Sequence, residues 1–373
     1  MKKSQILSSC LFSVVLLASV VISCHKKTAA TELFADKGVT VRLITHSAGI
    51  DDKSFNTSAW RGILEFYGDT RVNPKQRGTA YDVIVAQTQD MYVPVIKQAA
   101  DEGYDLIAAA GAAWDKAIYE AALGSPQQKF LIVDVGWLKL KNIMQIVYTE
   151  HEGAYLVGVA AALKAKEDGI VNPRFGFIGG MPGPVITKFE VGYVQGILSV
   201  LPNAQIVDYY VNSWGEPALA KAQAKNWYDS GVYAIFTAAG GSGNGTIAQA
   251  MEYRAAGKNV WAIGVDSDQY EEGLYNDKDS AVLTSMLKRV NTGLLYALNA
   301  VKNNTFKGEV VTLNIESGGV DYSAANPALG RNIIDKIDFV KNQIIEGNVT
   351  VAATLAEAKL LPGFPLNLRA IDN

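Results

Sequence analysis

Val41-Arg42-Leu43-Ile44-Thr45, a short and mostly apolar run, is followed after a polar stretch by Trp60, Ile63, Leu64 and Tyr67, which recur at i, i+3, i+4 and i+7. The first segment has the length of a buried strand, and the second has the spacing of a helix's core face. Together they read as one βα unit, and the same alternation continues along the chain. Strands are expected at Tyr81 to Val85, Asp105 to Ala110 and Lys129 to Asp134, each followed by a helix. A second series follows at Arg174 to Gly179, Gln205 to Val211, Val232 to Ala239 and Asn259 to Val265, with helices such as Pro184 to Leu201 and Pro217 to Tyr228 between them. Strand Ala281 to Met286 then precedes an apolar-faced helix over Val290 to Val301. Strands alternating with helical periods feed largely parallel sheets. The expected fold is therefore α/β, with two doubly wound lobes around a cleft and a boundary near Thr149 to Gly153.

The chain has 373 residues, 49% hydrophobic and 19% charged, with a net charge of −3. That length suits two domains with real cores. No block of Lys and Arg is present, which argues against a nucleic-acid partner, because duplex binding depends on clustered cations.

Residues 1–23 read as an export signal: Lys2 and Lys3 precede an apolar run from Ile6 to Ile22, closed by Ser23 and Cys24. The run is short for a membrane span, which needs roughly 20 residues. Val21-Ile22-Ser23-Cys24 resembles a bacterial lipobox, with Val21 where Leu is usual. Cleavage there makes Cys24 the acylated first residue and attaches the protein to a membrane through a lipid anchor. The alternatives are a cleaved secreted form and an uncleaved anchor. Cys10 leaves with the leader, so no disulfide is possible. Losing Lys2 and Lys3 from 34 cations, against 37 anions, gives the mature chain a net charge of −5. Residues 24–38, polar and rich in Ala and Thr from His25 to Lys37, read as a tether.

In open α/β sheets ligands bind beyond the carboxyl ends of the strands. That rule selects His46 to Asn56, Gly111 to Trp114, Asp134 to Trp137, Asn212 to Gly215, Gly240 to Gly245, Asp266 to Gln269, and Lys288. Acids, aromatics, glycines and a lysine suit a flat, polar small molecule.

Three of these stretches, Gly49-Ile50-Asp51-Asp52-Lys53-Ser54-Phe55-Asn56, Gly240-Gly241-Ser242-Gly243-Asn244-Gly245 and Gly264-Val265-Asp266-Ser267-Asp268-Gln269, together resemble the basic membrane protein family. Its members are purine nucleoside receptors, the lipoprotein substrate-binding components of ABC importers. Phe177 to Gly196 fits as well, and the resemblance covers essentially the whole mature chain. It implies a type I periplasmic-binding-protein fold whose chain crosses a hinge three times. Lobe 1 would then be 39–149 with a return segment near 280–330, and lobe 2 would be 150–279 with the C-terminal segment near 331–373. The implied partners are a purine nucleoside (adenosine, guanosine or inosine) and an ABC permease.

The resemblance also implies roles for individual residues. Asp51 stands where a carboxylate accepts N–H groups from the purine, and an ionised Asp is an acceptor only. Asp52, adjacent to it, joins the candidate ligand set; helix capping is the other role available here, one that Asp52 or Ser54 would fill. Trp60 and Trp214 match the two rings that sandwich the base, although periodicity alone places Trp60 in a helix core. Gly240 falls where backbone approaches the ribose, or is a turn glycine. Asp266 and Lys288 match the pair that holds the ribose hydroxyls, a carboxylate accepting and an ammonium donating; without the family, Lys288 reads equally as a surface lysine. Asp134, ending its strand, is a further base or sugar contact. Ala112 and Ala113 after Gly111 are smaller than expected for a pocket wall.

The chain has only His25, His46 and His151, and it contains no H-E-x-x-H, no mature Cys pair and no G-x-S-x-G. No metal site, cofactor or catalytic residue is therefore expected. A nucleoside hydrolase built on Asp51, Asp52, Asp266 and Asp268 is a lesser reading, because no evident acid, base or nucleophile is left over. A binder of a sugar or other small ligand serving a sensor is the alternative of the same fold.

Overall fold

The structure is a computed structural model and describes residues 38–372. The expected leader, Cys24 and the tether up to residue 37 lie outside the described residues. The chain opens with β1 (Val41–Thr45), α1 (Phe55–Tyr67), β2 (Tyr81–Val85), α2 (Tyr92–Asp101), β3 (Leu106–Ala109), α3 (Asp115–Gly124), β4 (Lys129–Val133) and β5 (Ile143–Tyr148). It continues through α4 (Glu150–Glu167), β6 (Arg174–Gly179), α5 (Pro184–Val200), β7 (Gln205–Tyr210), α6 (Pro217–Asp229), β8 (Val232–Ala238), α7 (Gly243–Ala255), β9 (Trp261–Asp266) and β10 (Val282–Lys288). The remaining elements are α8 (Val290–Lys302), β11 (Val310–Leu313), β12 (Val320–Tyr322), α9 (Gly330–Ile345) and α10 (Leu355–Ala358).

Two six-stranded sheets result, ordered β11-β5-β4-β3-β1-β2 and β12-β10-β9-β8-β6-β7. Every pairing in the first is parallel; in the second only β12 runs antiparallel, beside β10. The central strands β3, β8 and β9 are buried on both faces, as parallel sheets covered by helices require, while the edge strands β2, β7 and β11 are partly exposed. Pro184 and Pro217 begin their helices, where a missing N–H costs nothing. Gly68 closes α1 in the left-handed conformation at φ 68°.

The chain passes between the sheets three times: from Tyr148 into α4, from Lys288 into α8, and from Leu313 to β12. One apolar cluster runs across these crossings, including Ile63 of α1 and Tyr193 of α5. Helices α4 and α5 meet so closely that side chains at Gly158, Gly192 or Gly196 would overlap the other helix's backbone.

Several expectations need correction. Lys129–Val133 is followed by β5 and not by a helix. Gln145 interrupts the apolar pattern of β5, and its amide is satisfied by both the N–H and the C=O of Leu138. The short strands β11 and β12 were not anticipated either. The return segment near 280–330 is narrower than expected at both ends, because β10 and β12 belong to the second sheet and only α8 and β11 lie with the first. The C-terminal stretch packs on α5, with Phe364 and Leu368 against Val191 and Val194.

Candidate functional site

The carboxyl ends of both sheets face one cavity of about 340 Å³, within the range of about 300 to 1,000 Å³ usual for small-molecule sites. The polar end of this cavity is built around Lys288, the last residue of β10, which is 1% exposed. Its ammonium donates to Asp134 at 2.6 Å and pairs with Glu150 at 2.8 Å. The rings of Phe55, Tyr148 and Phe189 surround it at 5.1, 5.1 and 5.6 Å from their centroids. Burial opposes the charge on Lys288, but the carboxylates of Asp134, Glu150 and Asp266 hold its pKa above the usual lysine value. Burial likewise opposes ionisation of Glu150, whose pKa is nevertheless kept low by Lys288 and Lys188.

Asp134 and Asp266 each stand at the end of a strand with positive φ, 68° and 64°. That backbone conformation is uncommon outside glycine and is found where surrounding structure enforces it, frequently at functional sites. Asp266 accepts a short hydrogen bond from the hydroxyl of Ser54, which reaches it from the other lobe. Burial, reinforced by nearby Asp52 and Asp134, pushes the Asp266 carboxyl up to about 7 against the pull of Lys288 and Ser54. Asp134 is also raised, chiefly by burial.

Asp52 resolves the choice between capping and ligand binding in an unexpected way. Its carboxylate accepts from the backbone N–H groups of Ser54, Asn56 and Thr57, all at 2.9 Å, and so caps α1 while lining the cavity. Ser54 is thereby free to span the cleft. Further bonds between the lobes close the rim: Asn244 donates to the carbonyl of Asp52 at 3.1 Å, and Gln269 to that of Lys53 at 3.0 Å. The structure is a closed form.

Of the other expected residues, Asp134, Trp214, Gly240, Asp266 and Lys288 all line the cavity with Asp52. Trp214 lies against Gly180, where any Cβ would overlap the indole, and it borders Gly240 at φ 55°. The small wall of Gly111, Ala112 and Ala113 lines the cavity as well.

Two residues are not brought to the site. Asp51 is exposed and pairs with Arg71. Trp60 is 4% exposed inside the lobe 1 core, edge-on to Tyr81 at 5.3 Å and under the Arg77 guanidinium. The periodicity was the better guide for Trp60. A helix rises about 1.5 Å per residue, so only the first turn of α1, which starts beneath the cleft, reaches it. The ring supplied from that turn is Phe55, which lines the cavity.

His46, directly after β1, also lines the cavity, with its ring 6.4 Å from Trp214 and inclined by 30°. Burial lowers its pKa, with Asp52 opposing, and Nδ1 accepts from the N–H of Ala48, both of which favour the neutral imidazole. His46 was within a selected loop but went unweighed. Glu150 was missed because the unanticipated β5 hid the start of α4. Among the described residues no group of three or more His, Cys, Asp or Glu is arranged to hold a metal ion, and no helix is long and apolar enough to cross a membrane.

The arrangement offers aromatic faces from both lobes for a flat ring, and at one end an ammonium set among carboxylates for vicinal hydroxyls. The sequence profile of the family described as ABC transporter substrate-binding protein PnrA-like matches residues 39–354. The chain is 34% identical over 351 residues to the ABC transporter nucleoside-binding protein BmpA of Lactococcus lactis, covering 91% of this chain and 97% of that one. It is 33% identical over 325 residues to the CD4+ T-cell-stimulating antigen of Listeria monocytogenes, covering 85% and 89%. Among solved structures, an ABC transporter solute-binding protein from Aeropyrum pernix aligns with a TM-score of 0.73 at 22% identity, covering 86% of this chain and 96% of that one. Another from Conexibacter woesei aligns at 0.60, with 18% identity and 84% and 99% covered. These likenesses concern the fold, which is the type I periplasmic-binding-protein fold.

Proposed function

Because this chain belongs to the PnrA-like family of ABC transporter substrate-binding proteins, we propose that it is a lipid-anchored receptor that captures purine nucleosides between its lobes and delivers them to an ABC permease. The observation that carries this reading is the cavity itself, with Trp214 and Phe55 on its walls and, lining it as well, Lys288 bonded to Asp134 together with the buried carboxyl of Asp266. The base stacks on the indole, an interaction worth about 1 to 3 kcal/mol per base on aromatic side chains. Asp266 accepts from the ribose hydroxyls and Lys288 donates to a ribose oxygen. Closure over the ligand excludes water, and the closed shape is what the permease reads. Support for nucleosides over other solutes comes from the relative in Lactococcus lactis, whose name states that it binds them.

Calorimetric titration of the chain from Thr28 onward, stripped of carried-over ligand, tests this against adenosine, guanosine, inosine, cytidine, ribose and adenine. Tight binding of the purine nucleosides, with ribose and adenine weak, is the expected result. Preference for ribose alone would move the receptor to the sugars, and release of free base on prolonged incubation would make it a hydrolase. Cys24→Ala should abolish fatty-acid labelling and release the protein from membranes.

A further inference from the structure

We infer that Glu150 is a positioning residue that keeps the ammonium of Lys288 charged and aimed into the cleft when the receptor is open; this rests on the nucleoside-receptor reading above. Phe55 belongs to the first lobe and leaves with it on opening, but Tyr148, bonded to the carbonyl of Arg289, and Phe189 of the second lobe stay beside Lys288, and an ammonium against such rings without a counter-ion deprotonates or turns away. Its two bonded partners belong to different bodies. Asp134 follows β4 of the first sheet, so hinge opening carries it away from Lys288. Glu150 begins α4, which packs on α5, β10 and β12 of the second lobe, so it travels with Lys288 and remains 2.8 Å from it. Glu150 is 1% exposed and does not line the cavity. Its other oxygen is held at 3.0 Å by Lys188, which also donates to the carbonyl of Tyr148. Both carboxylate oxygens are thus committed, and Glu150 acts through Lys288 without touching the ligand.

A ligand meets the open receptor first, so the residue that prepares Lys288 in that state governs association. Glu150→Gln should slow association of adenosine by about tenfold to a hundredfold, the effect of losing one hydrogen bond to a charged group, and leave adenine binding unchanged, because adenine has no ribose for Lys288 to meet. Glu150→Asp, which withdraws the carboxylate by one methylene, should give an intermediate rate in a protein that still folds. Glu152→Gln serves as the hinge control: Glu152 accepts from Ile315 N–H at the third crossing and has no bond to Lys288, so its loss should leave the adenosine-to-adenine ratio as in wild type. Stopped-flow fluorescence and calorimetry read these quantities. Equal losses for adenosine and adenine in the Glu150 variants, or a change confined to dissociation, would overturn the assignment while leaving the receptor reading in place. Failure of the wild-type protein to bind any nucleoside would overturn both.

Discussion

The ammonium of Lys288, ending β10 in the second sheet, lies 2.6 Å from the carboxylate of Asp134, which follows β4 in the first. This bond joins the two lobes across the cleft, so a hinge opening that parts the sheets would break it. On the inference that Glu150, 2.8 Å from Lys288 here, stays paired with it in either state, the bond to Asp134 contributes to closure more than to the charge of the lysine. Asp134→Asn should therefore speed nucleoside dissociation, on the order of tenfold for the loss of a charged hydrogen bond, with association little changed. Stopped-flow measurement of both rates checks this, and unchanged dissociation would remove Asp134 from the closing mechanism.

The two tryptophans separate stability from binding. Trp60 is buried against Tyr81, and Trp60→Ala should cost about 3 to 5 kcal/mol of folding stability without changing the affinity of the protein that remains folded. Trp214 lies on the cavity wall over Gly180, and Trp214→Ala should lose about 1 to 3 kcal/mol of nucleoside binding at near wild-type stability. Denaturant titration and calorimetry on each variant distinguish the two, and the reverse pattern would return Trp60 to the cleft.

How much of this was legible in the sequence depends on the distance between a residue and a strand end. Asp134, Trp214, Gly240, Asp266 and Lys288 follow or end strands whose apolar runs are plain, and the rule that places ligands at carboxyl ends found all of them. The loop between β1 and α1 was harder, because neighbouring side chains there point in different directions. Asp52 turns inward to cap α1 while Asp51 turns out to Arg71; the capping role was legible as one for Asp52 or Ser54, but no pattern of residue types says that the capping aspartate also lines the cavity. Family resemblance put an aromatic partner at Trp60, against a periodicity that had Trp60 right, whereas the ring that lines the cavity is Phe55, five residues earlier on the same helix. Glu150 depended on β5, whose Gln145 broke the apolar run.

Ligand affinity should depend on pH through Asp266. In the closed cleft its carboxyl is raised to about 7, principally by burial, whereas acceptance from ribose hydroxyls requires the ionised form. Binding therefore competes with the proton below pH 7. Affinity for adenosine should rise as pH increases through 7 and level off above it, and Asp266→Asn should flatten the profile. Calorimetry from pH 5.5 to 8.5 measures this, and affinity that falls with rising pH would contradict it.

Glu190 gives a stability counterpart away from the ligand. It is buried on α5, bonded to the hydroxyl of Tyr210, and burial pushes its carboxyl from 4.5 up to about 8. Because the folded state binds this proton more tightly than the unfolded state, its contribution is full below pH 4.5 and is lost as pH rises through 8. Stability should decline across that window by up to about 1.4 kcal/mol per pH unit from this group. Glu190→Gln should remove that slope in thermal melts between pH 5 and 8; an unchanged slope would assign it to other groups.

The most direct test of the central claim, that one end of the cleft reads the sugar while its walls hold the base, is a comparison of adenosine and adenine binding to wild-type protein and to Asp266→Ala. The account predicts that the substitution weakens adenosine far more than adenine, bringing the two ligands toward equal affinity. Equal weakening of both, or adenine bound as tightly as adenosine by the wild-type protein, would contradict it.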